Sequence, residues 1–257
     1  MSYYEKVADE HEYFYARAYE AKKTIKHFHS SLEFAFCKEG EFSVTISGEK
    51  IFLSKNEGVF IDGFTIHSYE DGPNSKGYFI VAEKDFFVRS FSFFNGVPPR
   101  KFKFENVDLL NCITDCYNEK GLTDSVKKAR FYGLSSILVS EIAQKNAFVS
   151  NSKSRQEENL CKILEYIERN LKEEISLSTL SKKFGYSKEH LSRLLNKVLG
   201  VGFLEYINVL RVKQAKKLLD KKDGRTVIEI AYLCGFNSPN TFYRAYKKVY
   251  GISPKKV

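Results

Sequence analysis

The chain has 257 residues, of which 43% are apolar and 28% charged, and it carries a formal net charge of +9. That length accommodates two ordinary domains, and the apolar content supplies cores and excludes wholesale disorder. No apolar run approaches the roughly eighteen residues of a bilayer span, and Met1-Ser2-Tyr3-Tyr4-Glu5-Lys6 lacks the basic-then-apolar pattern of a secretion signal, so the expectation is a cytoplasmic protein with no membrane partner.

The charge is unevenly placed. Residues 1–153 hold 20 Lys/Arg against 21 Asp/Glu, a net of −1, while 154–257 hold 21 against 11, a net of +10. An excess confined to the last two-fifths is what a polyanion-binding domain would show. The five cysteines, Cys37, Cys112, Cys116, Cys161 and Cys234, are odd in number and scattered. They read as small buried apolar residues in a reducing compartment. Cys112 and Cys116 have no second Cys or His pair nearby, which argues against zinc.

The first twenty residues mix charge with aromatics: Tyr3, Tyr4, Tyr13, Phe14, Tyr15 and Tyr19. Short segments rich in β-branched and aromatic residues follow at Glu33–Phe36, Glu41–Ile46, Lys50–Leu53, Gly58–Ile61 and Tyr78–Val81. Glu39-Gly40 and Ser47-Gly48-Glu49 supply turn residues between them, and the spacing predicts an all-β sandwich or small barrel closed by Pro98-Pro99. Past Asn106 the period becomes helical. Helices are expected over 106–118 and 124–147, the second with Val126, Arg130, Leu134, Ile137, Leu138 and Ile142 on its packed face. Ser150-Asn151-Ser152-Lys153-Ser154-Arg155 has no periodicity and reads as linker. The expected domains are therefore 1–148, a linker at 149–156, and 157–257.

From Glu157 onward the text is helical and repeats itself. Leu177, Leu180, Phe184 and Gly185 match Val227, Ile230, Cys234 and Gly235 at an offset of 50. Leu191, Arg193, Leu195, Val198 and Gly200 match Phe242, Arg244, Tyr246, Val249 and Gly251 at an offset of 51. Each copy reads as a helix-turn-helix: a short helix opened by a capping residue, Ser176 or Thr226, a glycine where the chain turns, then a second helix near 188–199 or 239–250. Leu191, Leu195 and Val198, and in the second copy Phe242, Tyr246 and Val249, form the buried stripes. The opposite faces carry Lys188, Glu189, Ser192, Arg193, Asn196 and Lys197, and then Ser238, Asn240, Tyr243, Arg244, Lys247 and Lys248. Arg pairs with guanine and Asn with adenine through two hydrogen bonds each, while Ser, Tyr and Lys suit phosphates and base edges. Between the copies, Phe203–Lys222 is an uninterrupted helical stretch with Leu204, Ile207, Leu210, Ala215, Leu218 and Leu219 as its apolar face. At about 1.5 Å per residue, eighteen residues reach roughly 27 Å, against the roughly 34 Å that separates successive major grooves.

Gly235-Phe236-Asn237-Ser238 through Phe242-Tyr243-Arg244-Ala245-Tyr246-Lys247-Lys248, then Gly251-Ile252-Ser253-Pro254, resembles the C-terminal signature of AraC/XylS-type transcription regulators. The first copy and the linker helix with Arg211 and Ala215 agree, so the resemblance covers about 157–257. It departs at Tyr246, where the family commonly has Phe, and at Pro239, which removes a donor from the first turn of the second recognition helix. The resemblance implies a two-domain protein: an N-terminal all-β cupin-like barrel with following helices, and a C-terminal all-α double helix-turn-helix. It also implies double-stranded DNA, RNA polymerase, a small-molecule effector such as a sugar and a second copy of the chain as partners.

His27-Phe28-His29-Ser30-Ser31-Leu32-Glu33, followed by Gly40, has the form H-x-H-x₃-E-x₆-G and resembles the first cupin motif. On one extended strand His27, His29 and Glu33 would share a face. The second motif is degraded, since Asp62-Gly63-Phe64-Thr65-Ile66-His67 lacks Pro-x-Gly. The resemblance implies a ligand pocket walled by His27, His29, Glu33 and His67, with no cofactor required. The alternative is a divalent metal held by those four. Phe34, Phe36, Phe60, Tyr69 and Tyr78 are the candidate apolar lining, and the aromatic N-terminal arm would fold over the ligand. Two other readings stay open: a metal-dependent cupin isomerase or oxygenase with a DNA-binding tail, and a regulator that needs no ligand.

Overall fold

A computed structural model describes residues 3–4, 14–20, 24, 26–72, 74–150, 155–199, 201–220 and 224–254. The chain divides into two compact units, Glu5–Lys153 and Ser154–Val257, the second grouped with Met1–Tyr4.

In the first unit the short β-branched segments pair into two antiparallel sheets. The strands are β1 (Phe14–Glu20), β2 (His27–Phe28), β3 (Leu32–Glu39), β4 (Glu41–Ile46), β5 (Glu49–Ser54), β6 (Glu57–Ile61), β7 (His67–Asp71), β8 (Lys76–Ala82) and β9 (Lys101–Lys103). One sheet runs β9-β6-β3-β8-β1, and the other sets β2, β7, β4 and β5 side by side. Alternate residues of the first sheet face the second: Ala35, Cys37, Val59, Ile61, Phe79 and Tyr19 share a core with Phe42, Val44, Ile46, Leu53 and Tyr69. The residues between them face three helices, α1 (Asp85–Phe93), α2 (Val107–Asn118) and α3 (Asp124–Lys145), in a second core built on Leu32, Phe34, Phe36, Phe60, Tyr78 and Ile80. Because both faces of this sheet are covered, Leu32–Cys37 is buried without interruption, and the usual apolar–polar alternation is absent there.

Three readings change here. The aromatic run from Phe14 to Tyr19 is not a free arm: it is edge strand β1, paired along its length with β8, and Phe14 stacks on Phe131 at 3.9 Å. Of the rest of the aromatic N-terminal segment, residues 5–13 lie outside the described residues. Helix α1 was not expected; Phe86, Phe87 and Phe91 drive it onto the sheet. The packed face of α3 is Phe131, Ser135, Leu138, Val139 and Ile142, while Val126 and Ile137 are exposed. The hydroxyl of Ser135 donates to the Tyr132 and Phe86 carbonyls, which lets a polar residue sit in the apolar stripe.

The second unit contains α4 (Arg155–Arg169), α5 (Leu177–Phe184), α6 (Lys188–Leu199), α7 (Phe203–Asp220), α8 (Val227–Leu233) and α9 (Pro239–Tyr250). Helix α4 begins at Arg155, and the expected end of the long helix at Lys222 lies outside the described residues. Ser176 caps α5 and forms a reciprocal box with Thr179, and Thr226 does the same for α8 with Glu229. Helix α7 buries Phe203, Tyr206, Ile207, Leu210, Val212, Ala215 and Leu219, but Leu204, expected on that face, is exposed.

Candidate DNA-binding surface and a buried histidine cluster

Each recognition helix is anchored from behind. Helix α6 buries Leu191, Leu195 and Leu199, the last in place of the expected Val198, which is half-buried. Helix α9 buries Phe242 and Tyr246, with Val249 packed beside them. This orientation leaves Lys188, Glu189, Arg193, Asn196 and Lys197 exposed on α6, and Asn240, Arg244, Lys247 and Lys248 exposed on α9. Ser192 is half-buried, and its hydroxyl accepts from Asn196 Nδ2 at 3.5 Å. Two of the remaining residues serve the fold. The Ser238 hydroxyl accepts the Thr241 N–H as the cap of α9, and the Tyr243 ring packs on Phe242 at 5.6 Å. Lys248 pairs with Glu205 of α7 at 2.7 Å.

The two helix-turn-helix units are joined by more than the long helix. Arg211, midway along α7, donates from Nε to the Leu171 carbonyl and from a terminal nitrogen to the Glu173 carbonyl, both at 2.8 Å. Its guanidinium lies 6.0 Å over the Phe236 ring in the turn of the second unit. The two turns also differ. Gly185 and Gly235 both have positive φ, 72° and 87°, but only at Gly235 would an added Cβ collide with the Leu171 carbonyl oxygen. The loop after α4 is therefore fastened to both α7 and the second turn.

In the first unit, His27, His29, Glu33 and His67 are all buried, with ligand-capable atoms within 4.8 Å of one another. They do not share one strand. His27 pairs with His67 in one sheet and Glu33 sits in the other, and the chain crosses between sheets around Ser30–Ser31. Glu33 Oε2 lies 2.9 Å from His29 Nε2 and 3.2 Å from His67 Nε2, and Glu33 Oε1 accepts the Tyr69 hydroxyl at 2.6 Å. Carbonyls can only accept, so the contacts of His29 Nδ1 with Ser31 O at 3.0 Å and of His67 Nδ1 with Thr65 O at 2.9 Å place an N–H on each Nδ1. Burial opposes the charge on Glu33, yet the two imidazoles hold its carboxyl well below the usual range. Burial lowers His67, against the pull of Glu33. Phe36 and Tyr78 do not join this cluster. With Phe34 and Phe60 they lie on the opposite face of the sheet, under the helices, where the Tyr78 hydroxyl donates to Asn111 Oδ1 at 2.6 Å. The expectation that they line the same pocket is corrected accordingly: neighbouring residues of a strand point to opposite faces.

The sequence matches the helix-turn-helix domain family over residues 180–257. It is 38% identical over 96 residues to PqrA of Proteus vulgaris, described as a probable transcription factor, covering 37% of this chain and 78% of that protein. This chain belongs to the AraC-type helix-turn-helix family. It is also 36% identical over 107 residues to uncharacterised HTH-type transcriptional regulators of Staphylococcus aureus, over 42% of this chain, and spans 14% of the length of those relatives. Among solved structures, the apo form of a ToxT variant of Vibrio cholerae with one lysine replaced by alanine shares the fold at a TM-score of 0.54 and 13% identity, covering 95% of this chain and 96% of that one. ToxT bound to (E)-4-(8-methylnaphthalen-1-yl)but-3-enoic acid aligns at 0.50 and 14% identity.

For an AraC-type chain, the residues sequence reasoning missed are those that position the recognition helices. Arg211 was noted only as part of a resemblance. Its partners are main-chain carbonyls 38 and 40 residues away, and backbone acceptors leave no trace in side-chain identity.

Proposed function

We propose that this AraC-type protein is a sequence-specific regulator of transcription that binds double-stranded DNA through two recognition helices, α6 and α9. The observation that carries this reading is the pairing of two matched helix-turn-helix units, each with a basic outward face, fastened together by α7 and Arg211. An α7 of eighteen residues gives a spacer of about 27 Å, suited to neighbouring major grooves. Residues 157–257 would bind DNA and 1–148 would sense a small molecule and form a homodimer, with 149–156 as linker. Val126 and Ile137, exposed and three turns apart on one face of α3, support the dimer. The small carboxylic acid on ToxT supports an effector of modest size. RNA polymerase would be the partner through which bound protein acts, and the cytoplasm its location. Among the described residues no helix is long and apolar enough to cross a membrane. Selection of bound sites from random duplexes by the full chain tests the reading: one enriched motif with two half-sites is expected, and an unenriched pool refutes it.

A second reading concerns the histidine cluster. With Nδ1 of His29 and His67 protonated and Glu33 ionised, the Nε2 lone pairs converge on a carboxylate unless a proton or a cation lies between them. Three imidazoles and a carboxylate are a donor set that fits a divalent transition metal, held by His27, His29, Glu33 and His67. Such an ion would supply Lewis acidity. The chain's own contribution is to fix both imidazole tautomers through the Ser31 and Thr65 carbonyls and to anchor Glu33 through Tyr69. Elemental analysis of the purified protein decides between ion and proton. One equivalent of metal, lost in Glu33→Gln, supports the ion; a metal-free protein leaves the cluster as a protonated hydrogen-bond network.

A further inference from the structure

The interior of the two-sheet unit has a second polar centre. Strand residues two apart point the same way, so β7 directs His67, Tyr69 and Asp71 inward, and Asp71 lies roughly 13 Å along the strand from His67. Among the described residues, four side chains of β1, β7 and the loop after β7 each have a buried polar atom without a hydrogen-bond partner: Arg17 Nε, Tyr19 OH, Asp71 Oδ1 and Ser75 Oγ. Tyr19 is 7% exposed and Ser75 1%, while Arg17 and Asp71 are half-buried and reach the edge of the unit.

The register brings them together. Tyr19 pairs across to Gly77, two residues beyond Ser75, and Arg17 pairs with Phe79. The Tyr19 ring lies 4.4 Å from Phe79 and 5.8 Å from Phe42, and Phe42 is the cross-strand partner of Asp71. The Arg17 guanidinium is 5.8 Å over the Phe79 ring. Phe79 in turn touches Tyr69 at 4.7 Å, so an aromatic layer separates this centre from the histidine cluster. Burial chiefly, and then the Asp71 charge, push the Tyr19 phenol up, while Arg17 pulls it down, so both charges act on the Tyr19 hydroxyl.

A buried donor or acceptor without a partner costs roughly 1–3 kcal/mol, and folded proteins leave few of them. Arg17 and Asp71 bear opposite charges, and among the described residues neither forms an ion pair; the Arg17 guanidinium meets only the Tyr15 and Phe79 rings, and its Nε and Asp71 Oδ1 are left without a hydrogen-bond partner. A neutral guest would leave the buried atoms of both charged groups, Arg17 Nε and Asp71 Oδ1, without a charged partner; a guest carrying an anion and a cation would answer both.

We propose that Arg17, Tyr19, Asp71 and Ser75 form a binding site for a small zwitterion of the free amino-acid type. Its carboxylate pairs with Arg17, its ammonium with Asp71, and the Tyr19 and Ser75 hydroxyls complete the hydrogen bonds. The ligand's apolar part lies against Phe42 and Phe79. The site rests on the reading of this unit as a sensor, and it names both the place and the chemistry of the effector.

The test is thermal unfolding of the full chain with each standard L-amino acid, with the amine and the carboxylic acid that keep the same side chain, and with glucose and glycerol. At least one amino acid raises Tm by several degrees, and its singly charged counterparts do not. Arg17→Gln and Asp71→Asn each abolish that rise. Tyr19→Phe removes an unpaired hydroxyl, so the ligand-free variant melts at or above the wild-type temperature while the response weakens; a hydroxyl serving only the fold would give a lower Tm. The proposal is overturned if no amino acid shifts Tm, if amines, acids or the polyols act equally well, or if the shift survives in both charge variants. Site selection by the ligand-free chain is scored separately, so a missing response leaves the DNA-binding reading standing, and a failed selection leaves this site standing.

Discussion

Replacing Arg211 with Met keeps length and apolar bulk but removes the guanidinium that fastens the loop after α4 to the long helix. Two charge-assisted hydrogen bonds of 2.8 Å are lost, and the Leu171 and Glu173 carbonyls lose their donor. Hydrogen bonds to a charged group contribute about 1.5–3 kcal/mol each. Arg211 is only half-buried, and that burial holds its pKa below the usual arginine value, so the pair is worth less than twice the upper figure: about 2–4 kcal/mol. For a domain of this size each kcal/mol moves Tm by roughly 4–8 °C, so the helical unit should melt about 8–32 °C lower. The functional effect is more specific. A second recognition helix no longer held in register loses the advantage of linked binding, which can reach about 10²–10⁴. Affinity for a duplex with two half-sites should fall at least about tenfold, while affinity for one half-site recognised by α6 stays nearly constant. Fluorescence anisotropy on both duplexes and a thermal melt supply the measurements. An unchanged Tm, or equal losses on both duplexes, would refute the account of Arg211 as the fastener.

The two repeat glycines should respond unequally. Gly185→Ala meets only the positive-φ penalty, about 1 kcal/mol, whereas Gly235→Ala must also push the Leu171 carbonyl aside and should destabilise by several-fold more; equal urea midpoints would contradict this. Arg193→Ala should weaken a selected site by about 1–3 kcal/mol if the side chain reads a base, and similar losses on random DNA would make it a phosphate contact. The Glu57 carboxyl is raised by burial, but Lys101, the Ser54 N–H and Lys103 outweigh that and bring it down from 4.5 to about 2. A folded-state pKa below the unfolded one gives stability that is complete above about pH 4.5 and lost as pH falls towards 2. Wild type should therefore lose stability over that window more steeply than Glu57→Gln, and parallel acid curves for the two proteins would count against the ion pairs.

The sequence was most informative where structure repeats locally. Capping residues, a turn glycine and a 3.6-residue stripe all lie within about a dozen positions of one another, so Ser176, Gly185 and Leu191, and again Thr226, Gly235 and Phe242, declared their helices without reference to anything distant. The histidine motif also announced that His27, His29, Glu33 and His67 belong together. What it could not state was how they meet, because they arrive from two sheets by a crossing at Ser30–Ser31.

Composition, charge placement and local periodicity were enough to read most of the elements this chain builds and which helices carry a basic outward face. Tertiary structure alone decided which face of each element is inside. Leu32–Cys37 is apolar at nearly every position, so parity could not assign Phe36 to the helices and Glu33 to the interior until sheet pairing and the three covering helices were known. The reason is that burial and pairing are properties of partners far away in the chain. Arg211 needs the carbonyl of Leu171, Phe14 needs Phe131, and Asp71 meets Tyr19 only after two sheets close on one another.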